Sequence, residues 1–586
     1  IGGCVGYAMV GREGATYYAL SNLTNNAAIT LGANGSVPST NLYIAGCVGH
    51  AEGTVTTATN SGAITVSGSS TGGNSYITGC VADGITTYTL SGLTNEAAIL
   101  CDGTVKSARL GGVGGYIGII ENSLNTGNVT FTGSATSDSH CCGISYYSTT
   151  MKNCVNGSET DPEKGKLEYN SQNGKSVYLA GLARQCITRA ENCTNYGNMY
   201  VNNTVNGTVY IGGLISTGVD SATYVSEREG CHNYGNIYVN ADVAPENNYN
   251  CFIGGFTYRN NNAYSFKDCH NHGDIILKEG ITIGNSIRMG GFIGTMETNT
   301  NVTFDNCSNG GDIIVPSSVI CGNTTASKTG YIRVGGIVGN QSSGTITVKN
   351  TIKNSGTINV AGESKHNQNM AIGGVFAYTK TAFTADSEAV LINGGEVICG
   401  AKSKKGLRVG GVIGAVDVTH PATVSYINTG KISCTGTFAS TSDAYVGGVF
   451  GNTAASQANA QSFCEITAIG YTGVGMITGS AYSAGTVEMS NSAVGGKITV
   501  KTKEVEDGNG DKDEVPMTIT LSDTSNVDDD QATEWNDYWY KYIYGSGNPA
   551  SAAEATGCSL LTSAPSLEAP APEETPEETP EETPAA

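Results

Sequence analysis

Charged residues, prolines and long apolar runs are scarce in this sequence of 586 residues. Only 14% of the residues are charged and 13 are proline, and 51 acidic residues outnumber 30 basic ones, for a net charge of -21. Because no basic stripe is present to replace counterions, we predict no nucleic-acid partner. No apolar run reaches the length that a membrane-spanning helix needs, so we predict no transmembrane segment in this chain.

Motifs of common catalytic and cofactor sites are also missing. The sequence has no Walker loop, no nucleophile-elbow Gly-x-Ser-x-Gly in a helical context and no CxxC pair of the kind found in zinc sites. We therefore predict a protein that is not an enzyme and needs no cofactor. Apolar spacing at a period of 3.6 residues is not sustained within the repeats, which argues against helices there.

Glycine is abundant, with 81 residues, and it marks a repeat. The stretch from Ile332 to Val360 contains an apolar run that ends at Gly336, a polar turn, and a corner at Asn354 that leads into an alternating strand. We call Gly336 a landmark glycine and Asn354 a corner asparagine. The landmark glycine recurs at Gly3, Gly46, Gly79, Gly112, Gly143, Gly181, Gly213, Gly255, Gly291, Gly336, Gly374, Gly411 and Gly448. The corner asparagine recurs at Asn25, Asn60, Asn95, Asn125, Asn156, Asn195, Asn233, Asn271, Asn309, Asn354, Asn393 and Asn428.

The copies share one alternation pattern. Positions four and six residues after the corner asparagine are apolar in nearly every copy, as in Ile358 and Val360, and the position between them is mixed. One copy cannot bury its own apolar face, but stacked copies form parallel sheets around a common core. The sequence therefore predicts an all-β fold, a parallel β-helix of about 12–13 coils over residues 1–500. The preference for right-handed parallel crossovers favours a right-handed solenoid.

Two further regions follow the repeats. We predict a small C-terminal cap at 501–560, in which KITVKTKEVE and EVPMTITLS form a β-hairpin and Trp535, Tyr538, Trp539, Tyr542 and Ile543 form a short aromatic lid. Residues 561–586, which end in PEETPEETPEETPAA, predict an acidic disordered linker, because they cannot build a core. The chain starts inside a Gly-Gly strand, so we expect further residues upstream.

The repeat resembles a known family. GGIVG at 335–339 followed by KNSGTINV at 353–360, and GGVIG at 410–414 followed by INTGKISC at 427–434, resemble the GLUG-type repeat of large bacterial surface proteins. The pairing also looks like the repeats of polymorphic outer-membrane autotransporter passengers. The resemblance implies a β-helical surface or secreted protein, often adhesive, and it transfers no catalytic residue.

The 18 cysteines recur with the repeat. Five of them lie two residues before the corner asparagine in successive copies: Cys154, Cys193, Cys231, Cys269 and Cys307. We first interpret these five cysteines as a row of small apolar thiols in the core. Disulfides between neighbouring rungs and a metal site are the alternatives.

One column is predicted to face solvent and to carry function. Its members lie three residues before the landmark glycine, next to plainly apolar neighbours: Tyr43, Tyr76, Arg109, His140, Tyr178, Tyr210, Phe252, Arg288, Arg333, Ala371, Arg408 and Tyr445. Stacking that stiffens the sheet is one role for this aromatic and guanidinium stripe. A platform for sugar rings or for a partner's side chains is the other.

A second patch lies beside the corner asparagines of the central copies. It contains Tyr196, Tyr234, Tyr200 and Tyr238 together with His232, His270 and His272. Contact with a glycan or protein is the first functional interpretation of the patch. The three histidines are a weak candidate for a divalent metal site.

Two sets of acidic residues offer weaker alternatives. Asp274 and Asp312 occupy the same outward position in adjacent copies, and stacked carboxylates of this kind serve glycoside cleavage. Asp507, Asn509, Asp511 and Asp513 mimic the first ligands of a calcium loop, but the loop lacks the central glycine and the closing glutamate.

The functional hypothesis from the sequence is a non-catalytic extracellular protein of a bacterial cell surface. It would act as an elongated adhesin or stalk that presents its Tyr/Arg stripe to glycans or surface proteins. The alternatives are a polysaccharide-degrading β-helix enzyme that uses Asp274 and Asp312, and a subunit that self-associates into filaments or a surface layer.

Overall fold

The protein is represented by a computed structural model that contains β-strands and turns. The structure describes residues 1–8, 19–36, 40–171, 175–217, 225–244, 247–259, 262–297, 301–322, 330–381, 383–421, 423–438, 444–453, 457–480, 489–506, 512–521, 542–545, 557–561 and 563–567. No α-helix occurs in these ranges. The predicted lid residues Trp535, Tyr538 and Trp539 and the predicted calcium ligands Asp507, Asn509 and Asp511 lie outside them.

Successive copies of the repeat pair in parallel, strand on strand, which confirms the parallel β-helix. One sheet of fourteen strands contains the apolar runs that precede the landmark glycines, and we call it the stripe sheet. Its strands are Leu42–Ala45, Ser70–Thr78, Thr104–Gly111, Ser134–Ala135, Ser139–Cys142, Val177–Ala180, Val209–Gly212, Cys251–Gly254, Ile287–Gly290, Ile332–Gly335, Met370–Gly373, Leu407–Gly410, Ala444–Gly447 and Gly473–Gly475.

A sheet of 46 strands contains most of the rest of each coil. Its first series, which we call the post-glycine strands, follows the landmark glycines: Val48–Ala51, Val81–Gly84, Gly114–Tyr116, Ser145–Lys152, Ala183–Glu191, Ile215–Thr217, Thr257–Arg259, Ile293–Met296, Val338–Gln341, Phe376–Thr379, Ile413–Val416 and Phe450–Thr453.

The second series leads into the corner asparagines, or into the equivalent position of the last coil. Its strands are Ala19–Asn25, Thr54–Asn60, Thr89–Asn95, Ile119–Glu121, Leu124–Asn125, Val155–Asn156, Thr194–Asn195, Val225–Glu229, His232–Asn233, Ala263–Lys267, His270–Asn271, Val302–Asp305, Cys307–Asn309, Ile346–Val348, Thr351–Asn354, Phe383–Ala385, Val390–Asn393, Ser425–Asn428 and Ala460–Ala468.

The third series follows the corner. Its strands are Ile29–Leu31, Ile64–Val66, Ile99–Cys101, Val129–Phe131, Leu167–Tyr169, Met199–Val201, Ile237–Val239, Ile275–Leu277, Ile313–Val315, Ile358–Val360, Val397–Cys399 and Ile432–Cys434. The predicted alternation holds, because the first and third residues of Ile358–Val360 are buried and the middle one is half-buried. Leu167–Tyr169 stands farther from its corner than the other members, since residues are inserted after Asn156.

Two small sheets and a hairpin complete the described elements. The first small sheet has five strands: Thr282–Ile283, Ile320–Cys321, Glu363–Ser364, Lys402–Ser403 and Thr437–Phe438. The second has two strands: Gln457–Ala458 and Met489–Ser490. Ser492–Glu506 and Lys512–Thr520 pair antiparallel, which confirms the predicted hairpin. Ser492–Glu506 also pairs in parallel with Ala460–Ala468 and with Cys558–Leu560, so the hairpin continues the solenoid sheet.

A ladder of corner asparagines runs through the interior. Each side-chain Nδ2 donates to the Oδ1 of the next corner asparagine in eleven successive hydrogen bonds of 2.7–2.9 Å. The same Nδ2 also donates to a backbone carbonyl just past the corner, as Asn354 does to Gly356 at 2.8 Å. Because the amides are buried, these bonds satisfy groups that would otherwise be costly to desolvate.

The ladder explains the landmark glycines. A Cβ atom on Gly336 would lie 2.5 Å from Cγ of Asn354 and 2.1 Å from the backbone oxygen of Gly374. The corner asparagine therefore packs directly against the landmark glycine of its own coil, and no larger residue fits between them.

The cysteine row is part of the core. Cys154, Cys193, Cys231, Cys269 and Cys307 are buried in the main apolar cluster, and all 18 cysteines are free. Burial raises the pKa of the Cys307 thiol to about 12, so this thiol stays protonated at neutral pH. The interpretation as apolar core thiols is confirmed.

Candidate functional site

The predicted Tyr/Arg stripe forms one continuous column. Tyr43 pairs in register with Tyr76, and Tyr178 with Tyr210, and the column continues through Arg288 and Arg333. These side chains lie outside the main apolar cluster, to which their strand neighbours belong. The column therefore lies on the outer face of the stripe sheet.

The prediction that the whole column faces open solvent is wrong. Tyr76 is 5% exposed, Arg288 is 8% exposed, and most of the other members are half-buried. The physical reason is that the post-glycine strands bring a second row of side chains against the stripe. We call the two facing rows together the trough.

At one end of the trough, rings enclose a guanidinium group. Arg109 lies 5.0 Å from the ring centroid of Tyr76 and 4.5 Å from that of Tyr146, and it donates to the Tyr76 hydroxyl. The Tyr146 ring meets the Tyr76 ring edge-on at 5.8 Å. Burial raises the pKa of Tyr76 to about 12, so its hydroxyl remains a hydrogen-bond donor at neutral pH.

The central part of the trough is built in the same way. The rings of Tyr178 and Tyr210 stack with centroids 4.6 Å apart, and Tyr258 lies 4.4 Å from Tyr210. Arg184 is positioned over Tyr178 at 4.5 Å. Such rings and guanidinium groups attract each other electrostatically, which holds both in place.

Farther along, the arginines have polar partners. Arg288 donates to Thr295 Oγ1 at 3.0 Å and forms an ion pair with Glu297. Arg333 donates to Asn340 and lies 3.9 Å from the Tyr331 ring and 3.6 Å from the Tyr378 ring.

One column of the post-glycine strands separates two sections of the trough. The third residue after the landmark glycine is large or polar in the large-residue section, namely Tyr146, Arg184, Ser216 and Tyr258. It is glycine or alanine in the coils before that section, at Gly49, Ala82 and Gly115, and again in the coils after it, which form the small-residue section, namely Gly294, Gly339, Ala377, Gly414 and Gly451. A Cβ atom on Gly339 would lie 2.5 Å from the Met289 backbone oxygen, so in the small-residue section the two walls meet backbone to backbone.

The second predicted patch consists of stacked rings. Tyr196, Tyr234 and His272 stack with centroid distances of 5.1 and 4.4 Å, and Tyr200 stacks on Tyr238 at 4.9 Å. Unlike the trough, this patch is open, because Tyr234 is 42% exposed.

The three histidines lie together in this patch. His232 is 5.4 Å from His270 and 6.2 Å from His272, measured between ring centroids, and the rings are stacked. His270 Nδ1 is 2.7 Å from Ser308 Oγ. Across the described ranges, no group of three or more His, Cys, Asp or Glu side chains is arranged to hold a metal ion. Of the predicted calcium ligands, only the backbone of Asp513 is described, in Lys512–Thr520.

Asp274 and Asp312 belong to a ladder that supports the backbone. Asp274 Oδ1 accepts the Asp312 amide at 2.8 Å, and Asp312 Oδ1 accepts the Thr357 amide at 2.7 Å. The side-chain Oδ1 of Asn236 accepts a hydrogen bond from the Asp274 backbone amide in the same way. Burial, with a smaller contribution from Asp312, raises the pKa of Asp274. One oxygen of each carboxylate is therefore engaged in joining adjacent coils.

The comparisons with known proteins add no relative. The chain matches no family model, no curated protein and no solved structure. No helix among the described residues is long and apolar enough to cross a membrane. The fold is a parallel β-solenoid on the evidence of its own strand pairing.

Proposed function

We propose that this protein is a non-catalytic, elongated adhesin or stalk of a bacterial cell surface, and that its trough binds glycans or partner proteins. The observation that carries the proposal is the continuous row of rings and guanidinium groups along the stripe sheet. Tyrosine faces pack on sugar rings while their hydroxyls reach polar groups, and guanidinium groups donate in a fixed fork.

The scaffold supports this proposal by its rigidity. Each coil hydrogen-bonds to the next through backbone ladders and through the asparagine ladder, so trough residues keep a fixed spacing along the axis. Pre-ordered side chains lose little conformational freedom on binding, which favours recognition of an extended ligand. The resemblance to GLUG-type repeats points to the same class of surface protein.

A glycan array with two matched variants tests the proposal. Tyr178→Ala/Tyr210→Ala removes a stacked pair from the trough, and Tyr200→Ala/Tyr238→Ala removes a stacked pair from the second patch. We expect the first variant to lose glycan binding at least tenfold and the second to retain it. Loss in the second variant alone, or binding that survives in both, would contradict the trough as the site.

The same ligands test the non-catalytic part of the proposal. The protein is incubated with each polysaccharide that it binds, and newly formed reducing ends are measured. We expect no product. Product that disappears in the Asp274→Asn/Asp312→Asn variant would instead identify a polysaccharide-degrading enzyme.

A further inference from the structure

We infer that the trough takes a linear acidic polysaccharide that carries one anionic group on every second sugar. This inference rests on the proposed glycan-binding function and specifies its ligand class. It comes from three arginines, Arg109, Arg184 and Arg259, and from their positions along the solenoid.

The first observation is that these three guanidinium groups form no ion pair with a carboxylate among the described residues. Within the described residues, the arginine–carboxylate ion pairs involve Arg189 and Arg288. Asp138 interacts electrostatically with Arg184 without forming such a pair. A partly buried charge without a counter-ion is costly, and an anionic ligand would remove that cost.

The second observation is that buried donor atoms remain unused. Nε of Arg109, Nε of Arg259, and both Nε and Nη1 of Arg184 are buried and donate to no partner among the described residues, and the same holds for Nε of Arg288, Arg333 and Arg408. Guanidinium groups with free adjacent donors match the two oxygens of a carboxylate or sulfate. Buried polar atoms are usually satisfied, and an anionic ligand in the trough would supply acceptors for these unpaired guanidinium nitrogens.

The third observation is their charge contrast with the rest of the chain. The sequence has nine arginines and a net charge of -21. Six of the nine lie in the trough, namely Arg109, Arg184, Arg259, Arg288, Arg333 and Arg408; Arg259 is placed there by its register with Thr295, which accepts a hydrogen bond from Arg288. A local row of positive charge on an acidic protein attracts an anion to that row and repels it from the remaining surface.

The fourth observation sets the repeat of the ligand. Arg109, Arg184 and Arg259 belong to the coils of Gly112, Gly181 and Gly255, and one coil without such an arginine lies between each pair. With about 4.8 Å per coil, the positive groups recur roughly every 10 Å along the axis. One sugar of an extended chain spans about one coil, so the anionic groups should recur on alternate sugars, with neutral sugars resting on the tyrosine rings between them.

Calorimetric titration of the full chain tests the inference with three probes of defined composition. A hyaluronan hexasaccharide carries a carboxylate on every second sugar, a polygalacturonate hexamer carries one on every sugar, and cellohexaose carries none. We expect hyaluronan to bind at least tenfold more tightly than cellohexaose and more tightly than polygalacturonate, with an affinity that falls as salt rises.

Variants identify the groups responsible. Arg109→Gln, Arg184→Gln and Arg259→Gln should each weaken hyaluronan binding about tenfold, and the triple variant should abolish it. The matched control is Arg189→Gln, because Arg189 lies on the same strand as Arg184, Ala183–Glu191, but is already paired with three glutamates. An unchanged thermal midpoint shows that each variant is folded. The relative affinities of the wild-type protein for the three probes test the inference without any variant.

The outcomes separate this inference from the function on which it rests. Equal affinity for hyaluronan and cellohexaose overturns the acidic ligand and leaves glycan binding intact. Preference for polygalacturonate overturns the spacing on alternate sugars. No binding of any probe, together with a glycan array that shows no ligand, overturns both the inference and the proposed function.

Discussion

The two sections of the trough share one scaffold and differ in what their arginines do. In the small-residue section, Arg288 and Arg333 are held by Glu297 and Asn340. In and beside the large-residue section, Arg109 and Arg184 contact rings but form no ion pair among the described residues. The comparison teaches that the neighbouring side chains decide whether a trough arginine has a carboxylate or amide partner, as Arg288 and Arg333 do, or is surrounded by tyrosines, as Arg109 and Arg184 are.

The largest effect should come from breaking the scaffold that both sections share. Gly336→Val places a side chain against the backbone of the next coil and against Asn354, and we expect a loss of about 3 kcal/mol in the free energy of unfolding. Gly32→Val is the matched control, because a Cβ atom there meets nothing within 4 Å. Urea denaturation followed by circular dichroism measures both. Equal losses in the two variants would contradict the packing of landmark glycine on corner asparagine.

Cutting the asparagine ladder should cost the same in both sections. Asn195→Ala and Asn354→Ala each leave a buried amide of the neighbouring coil without its partner, so we expect a loss of about 2 kcal/mol in each. The half-buried pair of Asn240 with Asn202 supplies a control, Asn240→Ala, with an expected loss below about 1 kcal/mol. A clear difference between Asn195→Ala and Asn354→Ala in urea midpoint would show that the two sections do not share one scaffold.

Arginine substitutions should sharpen the contrast between the sections. Arg333→Gln removes the hydrogen bond to Asn340 and the stacking on Tyr331 and Tyr378, and we expect it to lower the free energy of unfolding by about 1.5 kcal/mol. Arg184→Gln should lower it by less than about 0.5 kcal/mol, because Arg184 contacts the Tyr178 ring but forms no ion pair among the described residues.

Ligand binding should give the reverse order for these two variants. Arg184→Gln should weaken binding more than Arg333→Gln does. The same order in stability and in binding would mean that the two sections do not divide the roles in this way.

The smallest effect should come from the histidines of the second patch. Burial and neighbouring histidines lower the pKa of His270 and of His272 below the usual 6.5. The unfolded chain therefore binds more protons as the pH falls below about 6.5, and the folded state loses a small part of its stability there. The His270→Gln/His272→Gln variant should show a flatter decline in thermal midpoint between pH 7 and 5. An identical decline in both proteins would contradict the lowered pKa values.

Columns were predictable from the sequence because a solenoid converts sequence period into vertical stacking. The register of Tyr43 on Tyr76, the inward pair Ile358 and Val360, and the buried position of Cys231 all follow from aligned copies. Each depends on contacts between equivalent positions, which a repeat specifies directly.

Contacts between different columns were not predictable in this way. The covering of Tyr76 by Tyr146, and the packing of Gly336 on Asn354, join positions that lie far apart within the coils. Such contacts depend on the shape of the coil in cross-section, which the sequence period does not contain. The change from Tyr258 to Gly294 in one column was the available signal for the two sections.

The asparagine ladder gives the rod a direction. Every amide between its two ends donates toward the next coil and accepts from the previous one, so the dipoles add head to tail from Asn25 to Asn428. Each interior coil therefore presents an amide donor to the next coil and an amide acceptor to the previous coil. Interior coils are interchangeable in this respect. Gene duplication or loss of whole windings lengthens or shortens such a rod while leaving every joint chemically alike.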